Sequence, residues 1–333
     1  MRPLSVFAML LTSAAPAATA PVAPAHAPTL APAAAAADAV EQPNARLPGF
    51  AAELAQRPLG QPGAYISRDA AWAALVQSDP GGRQAARWTL ANALLAAGRG
   101  AEAEAVLAVM RQDEPDLRFV AAWRRASGTA AALLDRADDG LAALGSPELA
   151  RDPESCAWRM RLHTRASDYR AAIGEFRCAI PAIDRRGRAE RAPFLLAIAH
   201  SAIASGTPAQ AIALLATLPD RDAAANLLRG KALIAQGSLD EGRLRLDRAR
   251  IGGDARIRAA VELALIEAGY RRHALSPDAA AKQLDQLLFR WRGDAVERDA
   301  LLLLQEVADA RHDRRGALRA AATLFRHFDL GEK

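Results

Sequence analysis

Residues 223–250 read AAANLLRGKALIAQGSLDEGRLRLDRAR, with small residues where two antiparallel helices have to touch. Gly230 lies in the middle of the first predicted helix, Gly237 at the turn and Gly242 early in the second helix. Small residues allow two helix backbones to approach closely, and the leucines between them fill a shared core. The stretch therefore predicts a helix hairpin.

The same arrangement recurs along the chain. The clearest copies are residues 84–115 and 192–219, whose small residues are Ala91, Gly98 and Ala103, and Ala199, Gly206 and Ala211. Residues 153–182 match less closely, because Met160 stands where a small residue belongs and only Ala172 fits. Residues 298–328 match through Ala317 alone. Residues 118–144 and 255–290 also predict hairpins, the latter with Ser276 as an N-cap before Pro277.

These small-residue positions resemble those of tetratricopeptide (TPR) repeats, helix hairpins of roughly 34 residues that stack side by side. The resemblance implies an all-α protein, a right-handed α-solenoid of TPR-like hairpins over residues 83–333. A helical cap at residues 47–82 precedes it, with a helix from Arg68 to about Gln77. The repeat spacing is irregular, so the repeats are degenerate. The C-terminal tail also resembles the ends of repeat proteins of the bacterial cell envelope.

The composition agrees with a helical fold. Of the 333 residues, 51% are hydrophobic and only 5% aromatic, and alanine and leucine, both good helix formers, dominate. The formal net charge is +5, and Lys231, Lys282 and Lys333 are the only lysines. Because most arginines are interleaved with Asp and Glu, including those between Arg243 and Arg258, they predict solvated helix faces rather than a nucleic-acid surface.

The N-terminus predicts export to the periplasm. Arg2, an apolar run from Leu4 to Leu11 and the small residues Ala15-Pro16-Ala17 follow the order of a secretory signal. We expect a signal peptide at residues 1–17, with cleavage after Ala37 as the alternative. Residues 18–46 are almost wholly alanine and proline, which predicts a flexible linker. No later stretch reaches the ~18 apolar residues of a membrane span.

No motif indicates catalysis, a cofactor or a metal. No two of the six histidines lie three or four residues apart, and the HExxH, GxSxG, GxxxxGK[ST] and GxGxxG patterns are missing. The acidic residues from Glu297 to Asp309 are flanked by Arg298 and Arg311, which favours a solvated helix surface. We expect a protein that is not an enzyme.

The five tryptophans predict packing between repeats rather than platforms for sugars or nucleic acid, because each lies in an apolar helical pattern. They are Trp72, Trp88, Trp123, Trp158 and Trp291. Cys156 and Cys178 lie equally far before and after the predicted turn at Ser167-Asp168. They face one another as a disulfide, which the periplasm permits, or as two buried thiols, since helix separation usually exceeds the distance a disulfide spans.

In tetratricopeptide stacks the first helices line the concave face, and the residue after the mid-helix small position points into it. Here that row is Asn92, Arg161, His200 and Lys231, with Arg165 one turn further on. Trp88 is the sixth residue predicted to contact a partner, but it stands where carboxylate-clamping members of the family need lysine, so their specificity is not carried over. The row therefore predicts a groove for an acidic protein or peptide segment, against the alternative that these are ordinary exposed polar residues.

The function expected from this pattern is a periplasmic scaffold or adaptor that holds a protein or peptide partner. Two alternative functions assume the same periplasmic location. One is an accessory component of a flagellar motor or secretion complex, and the other is a polysaccharide-associated envelope factor or enzyme.

Overall fold

The computed structural model describes residues 47–59 and 66–328. These residues form sixteen α-helices and no β-strand. The helices are α1 Gly49–Gln56, α2 Arg68–Gln77, α3 Arg83–Ala96, α4 Gly100–Asp113, α5 Ala121–Leu133, α6 Ala137–Leu144, α7 Pro153–Arg165, α8 Tyr169–Asp184, α9 Arg188–Ala204, α10 Pro208–Leu215, α11 Ala223–Ala235, α12 Leu239–Gly252, α13 Ala255–Arg271, α14 Pro277–Arg290, α15 Ala295–Ala310 and α16 Arg314–His327. The all-α prediction is confirmed. The predicted signal peptide and linker, residues 1–46, lie outside the described residues.

Consecutive helices pack against each other, and α3 to α16 pair into seven hairpins, α3–α4 to α15–α16. In addition, the first helix of each hairpin contacts the first helix of the next, so that α3, α5, α7, α9, α11, α13 and α15 form a continuous row. The predicted helix from Arg68 to Gln77 is confirmed. The Ser276 cap is also confirmed, because its side chain accepts a hydrogen bond from the Ala279 amide.

All seven hairpins share one turn. The residue after each first helix's C-cap has positive φ, and the amide that follows it donates to a carbonyl five residues earlier, which is the Schellman motif. The seven positive-φ residues are Gly98, Asp135, Ser167, Gly206, Gly237, His273 and His312. Three are the glycines that the sequence places at turns. At the other four, non-glycine residues adopt the same left-handed conformation.

The close contact predicted for α11 and α12 is present. A Cβ atom added to Gly230 would lie 2.9 Å from the carbonyl oxygen of Gly242 and 2.7 Å from Leu246. A second glycine pair, Gly128 of α5 and Gly140 of α6, makes an equivalent contact, with a Cβ on Gly128 3.2 Å from the Gly140 carbonyl oxygen. The hairpins at residues 118–144 and 223–250 therefore pack in the same way.

The α7–α8 hairpin contains Met160 instead of a small residue, and a disulfide joins its two helices. Cys156 and Cys178 are bonded, with their Cα atoms 5.8 Å apart. This separation lies inside the usual range of about 4.4–6.8 Å for disulfides. Of the two arrangements that the sequence left open, the structure therefore has the disulfide. Closing a loop of this length stabilises a fold by about 3 kcal/mol.

Two buried arginines tie successive hairpins together. Arg159 of α7 donates to the carbonyl oxygens of Leu144, Leu149 and Ala150 and pairs with Glu175 at 2.8 Å. At the equivalent place in α11, Arg229 donates to the carbonyl oxygens at the end of the preceding hairpin, those of Leu215 and Leu218 at 2.6 and 2.7 Å and of Pro219. Each arginine thus satisfies backbone acceptors that a helix end leaves without partners.

The packing prediction for the tryptophans is wrong at one position. Trp123 and Trp158 are buried, and Trp88 and Trp291 pack at the edge of the core. Trp72 is 58% exposed, because α2 turns Ala71 inward and leaves the next side chain on its outer surface. No described helix is long and apolar enough to cross a membrane.

Candidate partner-binding cleft

The first helices enclose a cleft of about 500 Å³, which we call the first-helix cleft. Its walls come from α7, α9, α11, α13 and α15, with Ala132 and Asp135 from the end of α5 and its turn. Four of the six residues predicted to bind a partner line it, namely Arg161, Arg165, His200 and Lys231. Leucines and isoleucine fill the space between the charged groups.

The local sequence explains why these side chains share one surface. In α11, Gly230 faces α12, and the next residue is rotated by about 100° around the helix axis. Lys231 is therefore carried away from the hairpin interface. His200 follows buried Ala199 in α9 in the same way, and Arg161 follows buried Met160 in α7. Successive first helices thus repeat one position on the cleft wall.

Arg161 is held by aromatic rings rather than by a carboxylate. Its guanidinium lies 4.9 Å from the ring centre of Trp158 and 5.2 Å from that of Phe194. Burial lowers the pKa of Arg161, an effect that Asp135 opposes and Arg186 reinforces. Within the described residues, no carboxylate oxygen lies within 4.0 Å of this side chain. The rings therefore orient the cation, and no carboxylate among the described residues neutralises it.

Lys231 is the second cation of the cleft that has no carboxylate partner among the described residues. It lies half-buried on α11 and forms no ion pair with any carboxylate in the described part of the chain. By contrast, Arg165 is paired with Asp135 at 3.1 Å, so its charge is largely compensated.

His200 contributes a neutral ring. Burial, together with the positive charges of Lys231 and Arg298, lowers its pKa to about 4, although Asp299 acts in the opposite direction. The ring centre lies 5.5 Å from that of Tyr169. At neutral pH this imidazole offers one donor and one acceptor to a ligand and adds no charge.

Cleft residues from α13 and α15 were not found from the sequence. Arg298 is paired with Asp299 at 2.9 Å, and Arg256 with Asp294 at 2.8 Å. These pairs balance their own charges, so Arg161 and Lys231 carry the excess positive charge of the cleft. Finding these residues requires the contacts between successive first helices. The sequence pattern within a single repeat carries no information about those contacts.

Two predicted residues lie elsewhere. Trp88 and Asn92 belong to α3 and do not line the first-helix cleft. Trp88 packs against the core formed by α1 to α5, and the Asn92 amide donates to the Trp88 carbonyl at 2.8 Å. The structure therefore brings together the predicted residues of α7, α9 and α11 and leaves those of α3 outside.

Among the described residues, no group of three or more His, Cys, Asp or Glu side chains is placed to hold a metal ion. Within the described residues the first-helix cleft combines two cations without carboxylate partners, a neutral imidazole and apolar walls. Comparison with known protein families and with curated proteins finds no match for the chain.

Proposed function

We propose that the protein is a non-enzymatic periplasmic scaffold whose first-helix cleft holds an acidic segment of a protein or peptide partner. In this proposal the hairpins form a right-handed, TPR-like α-solenoid with the first helices on its concave side. The observation that carries it is the position of Arg161 and Lys231 in one cleft without carboxylate partners among the described residues.

Two features support the solenoid. Each first helix contacts the next first helix, as required when hairpins stack in one direction. The seven hairpins also share one turn geometry, so each adds a similar unit. A stack of this kind presents a long concave surface rather than a closed pocket.

Two features support an extended acidic partner. The cleft draws its walls from five successive first helices, which suits an elongated chain. Its unpaired positive charges lie among leucines, so a segment with carboxylates between apolar residues would satisfy both kinds of surface.

The test uses synthetic peptides of equal length in which carboxylates replace amides. We expect fluorescence anisotropy to show binding of the acidic peptides at low salt. Replacing Arg161 and Lys231 together by Ala should weaken that binding at least tenfold, since each is a charge-assisted contact. The matched control replaces Arg243 and Arg248, two exposed arginines of α12, by Ala. Equal affinity of both double variants for the acidic peptides would contradict the proposal.

The proposed periplasmic location has its own test. N-terminal sequencing of the native protein from a periplasmic fraction should find a chain that begins near Ala18. A native protein that still begins with Met1 would rule out cleavage of the predicted signal.

A further inference from the structure

The last helix, α16, exposes an apolar stripe. It packs on α15 through Ala320 and Leu324, which are buried. On the other side of the helix, Leu318 is 69% exposed and Phe325 77% exposed. These two residues are seven positions apart, so they lie on one face, two turns from each other. Ala322 lies between them and is also exposed.

The charged residues within α16 are basic, and Asp313 caps its N-terminus. Helix α16 contains four exposed arginines and no acidic residue within its bounds. The ion pairs of the described region do not include any of the four; the nearby pairs belong to Arg311, before the helix. The four exposed arginines of α16 are Arg314, Arg315, Arg319 and Arg326. Many exposed arginines elsewhere in the described chain also lack a carboxylate partner, but no other described helix contains more than two arginines without an acidic residue, so α16 differs from the other helices in charge.

Helix α12 shows that the difference is specific. It also exposes two apolar residues, Leu244 at 52% and Ile251 at 82%. However, it contains Asp240, Glu241 and Asp247, and Arg250 is paired with Asp247 at 3.0 Å. The exposed apolar residues of α12 thus lie beside both acidic and basic side chains of the helix, whereas those of α16 lie beside arginines.

The charge of α16 decides between possible occupants. A second copy docked through the same helix would place four arginines against four arginines, and like charges at an interface oppose association. The occupant therefore has to be anionic. Moreover, α16 lines neither the first-helix cleft nor the clefts beside α13 and α14, and its apolar residues Leu318 and Phe325 are exposed outside them.

A helix with exposed Leu and Phe on one side and arginines beside them fits the headgroup region of a bilayer better than a shaped protein groove. We propose that α16 is a peripheral membrane-binding helix that recognises anionic phospholipid. Leu318 and Phe325 enter the interface between headgroups and acyl chains, and the four arginines contact lipid phosphates. This surface is separate from the first-helix cleft, so the peptide-binding and lipid-binding proposals can fail independently.

The test is co-sedimentation of the full chain with phosphatidylcholine vesicles that contain or lack phosphatidylglycerol. We expect sedimentation only with the phosphatidylglycerol vesicles and a decrease at high salt. Replacing Leu318 and Phe325 together by Ala, or Arg319 and Arg326 together by Gln, should each weaken binding about tenfold. The full chain used begins at Ala18, as the proposed mature protein does, and every variant shares the same N-terminal residues.

Helix α12 provides matched controls. The pairs L244A/I251A and R243Q/R248Q remove two apolar side chains or two arginines from exposed helix positions, as in α16, and should leave vesicle binding unchanged. Circular dichroism checks that every variant is folded. Absence of phosphatidylglycerol-dependent sedimentation, or an equal loss in the α12 and α16 variants, would overturn the proposal. A second contradictory result would be a protein that does not sediment with the vesicles but binds an acidic amphipathic peptide saturably. The α16 variants would abolish that peptide binding.

Discussion

Single glycines control how closely the helices of a hairpin approach. Gly230 has no room for a side chain, because the Gly242 carbonyl and Leu246 occupy the position of its Cβ. Gly174, in α8, has no heavy atom within 4 Å of that position. We therefore expect Gly230→Ala to destabilise the protein by about 1–3 kcal/mol through overpacking. Gly174→Ala should stabilise it by about 0.5–1 kcal/mol through reduced chain entropy. Urea unfolding of both variants measures this, and equal effects would contradict the close contact.

His200 should make stability depend on pH. Its pKa is lowered from 6.5 to about 4 in the fold, so the unfolded chain takes up a proton first as the pH falls. Stability from this residue is therefore complete above about pH 6.5 and decreases toward pH 4, by about 2–3 kcal/mol at pH 4.5. His200→Gln, which stays neutral, should lose less stability over this interval. Unfolding free energies of both proteins at pH 7 and 4.5 provide the comparison. The same pH dependence in both would contradict the lowered pKa.

At the scale of the helix, the sequence predicted the positions of the hairpins better than the backbone conformation of their turns. Periodic apolar residues and proline or glycine boundaries located the hairpins, because each hairpin buries its own small-residue contact. The sequence did not reveal that Asp135, Ser167, His273 and His312 occupy the same left-handed position as the turn glycines. These residue types tolerate many conformations, and only the surrounding helix packing imposes this one.

The shared turn makes a prediction for two of these residues. His273 and His312 are exposed and have φ of 57° and 56°, a conformation that glycine adopts without steric cost. His273→Gly and His312→Gly should therefore each raise the unfolding free energy by about 1 kcal/mol. Gly98→Ala, at the equivalent turn between α3 and α4, should lower it, and thermal unfolding tests all three. A loss of stability in both histidine variants would show that their side chains, rather than the turn geometry, are important.

At the scale of the whole molecule, the site depends on contacts that no single repeat contains. The row of Arg161, His200 and Lys231 follows from a rule applied to each hairpin separately, and these three residues meet in the first-helix cleft. The same rule placed Asn92 in that row, although the cleft begins only at the end of α5. It also missed Arg256 and Arg298, because α13 and α15 lack a clear small-residue marker from which to count.

A stack of hairpins should transmit damage locally. Each hairpin contacts mainly its neighbours, so stability in such a chain is close to a sum of repeat and nearest-neighbour contributions. In the Gly230→Ala variant we therefore expect amide hydrogen exchange to increase most in α11 and α12. Smaller increases should occur in α9–α10 and α13–α14, and little change in α3–α4.

Mass spectrometry of peptides from each hairpin measures this gradient, and Gly174→Ala controls for any effect of handling. If Gly230→Ala increases exchange by the same factor in every hairpin, the molecule unfolds as one cooperative unit. The row of first helices would then act as a single core. A gradient centred on α11 would instead mean that the cleft wall opens at one hairpin while its neighbours stay folded.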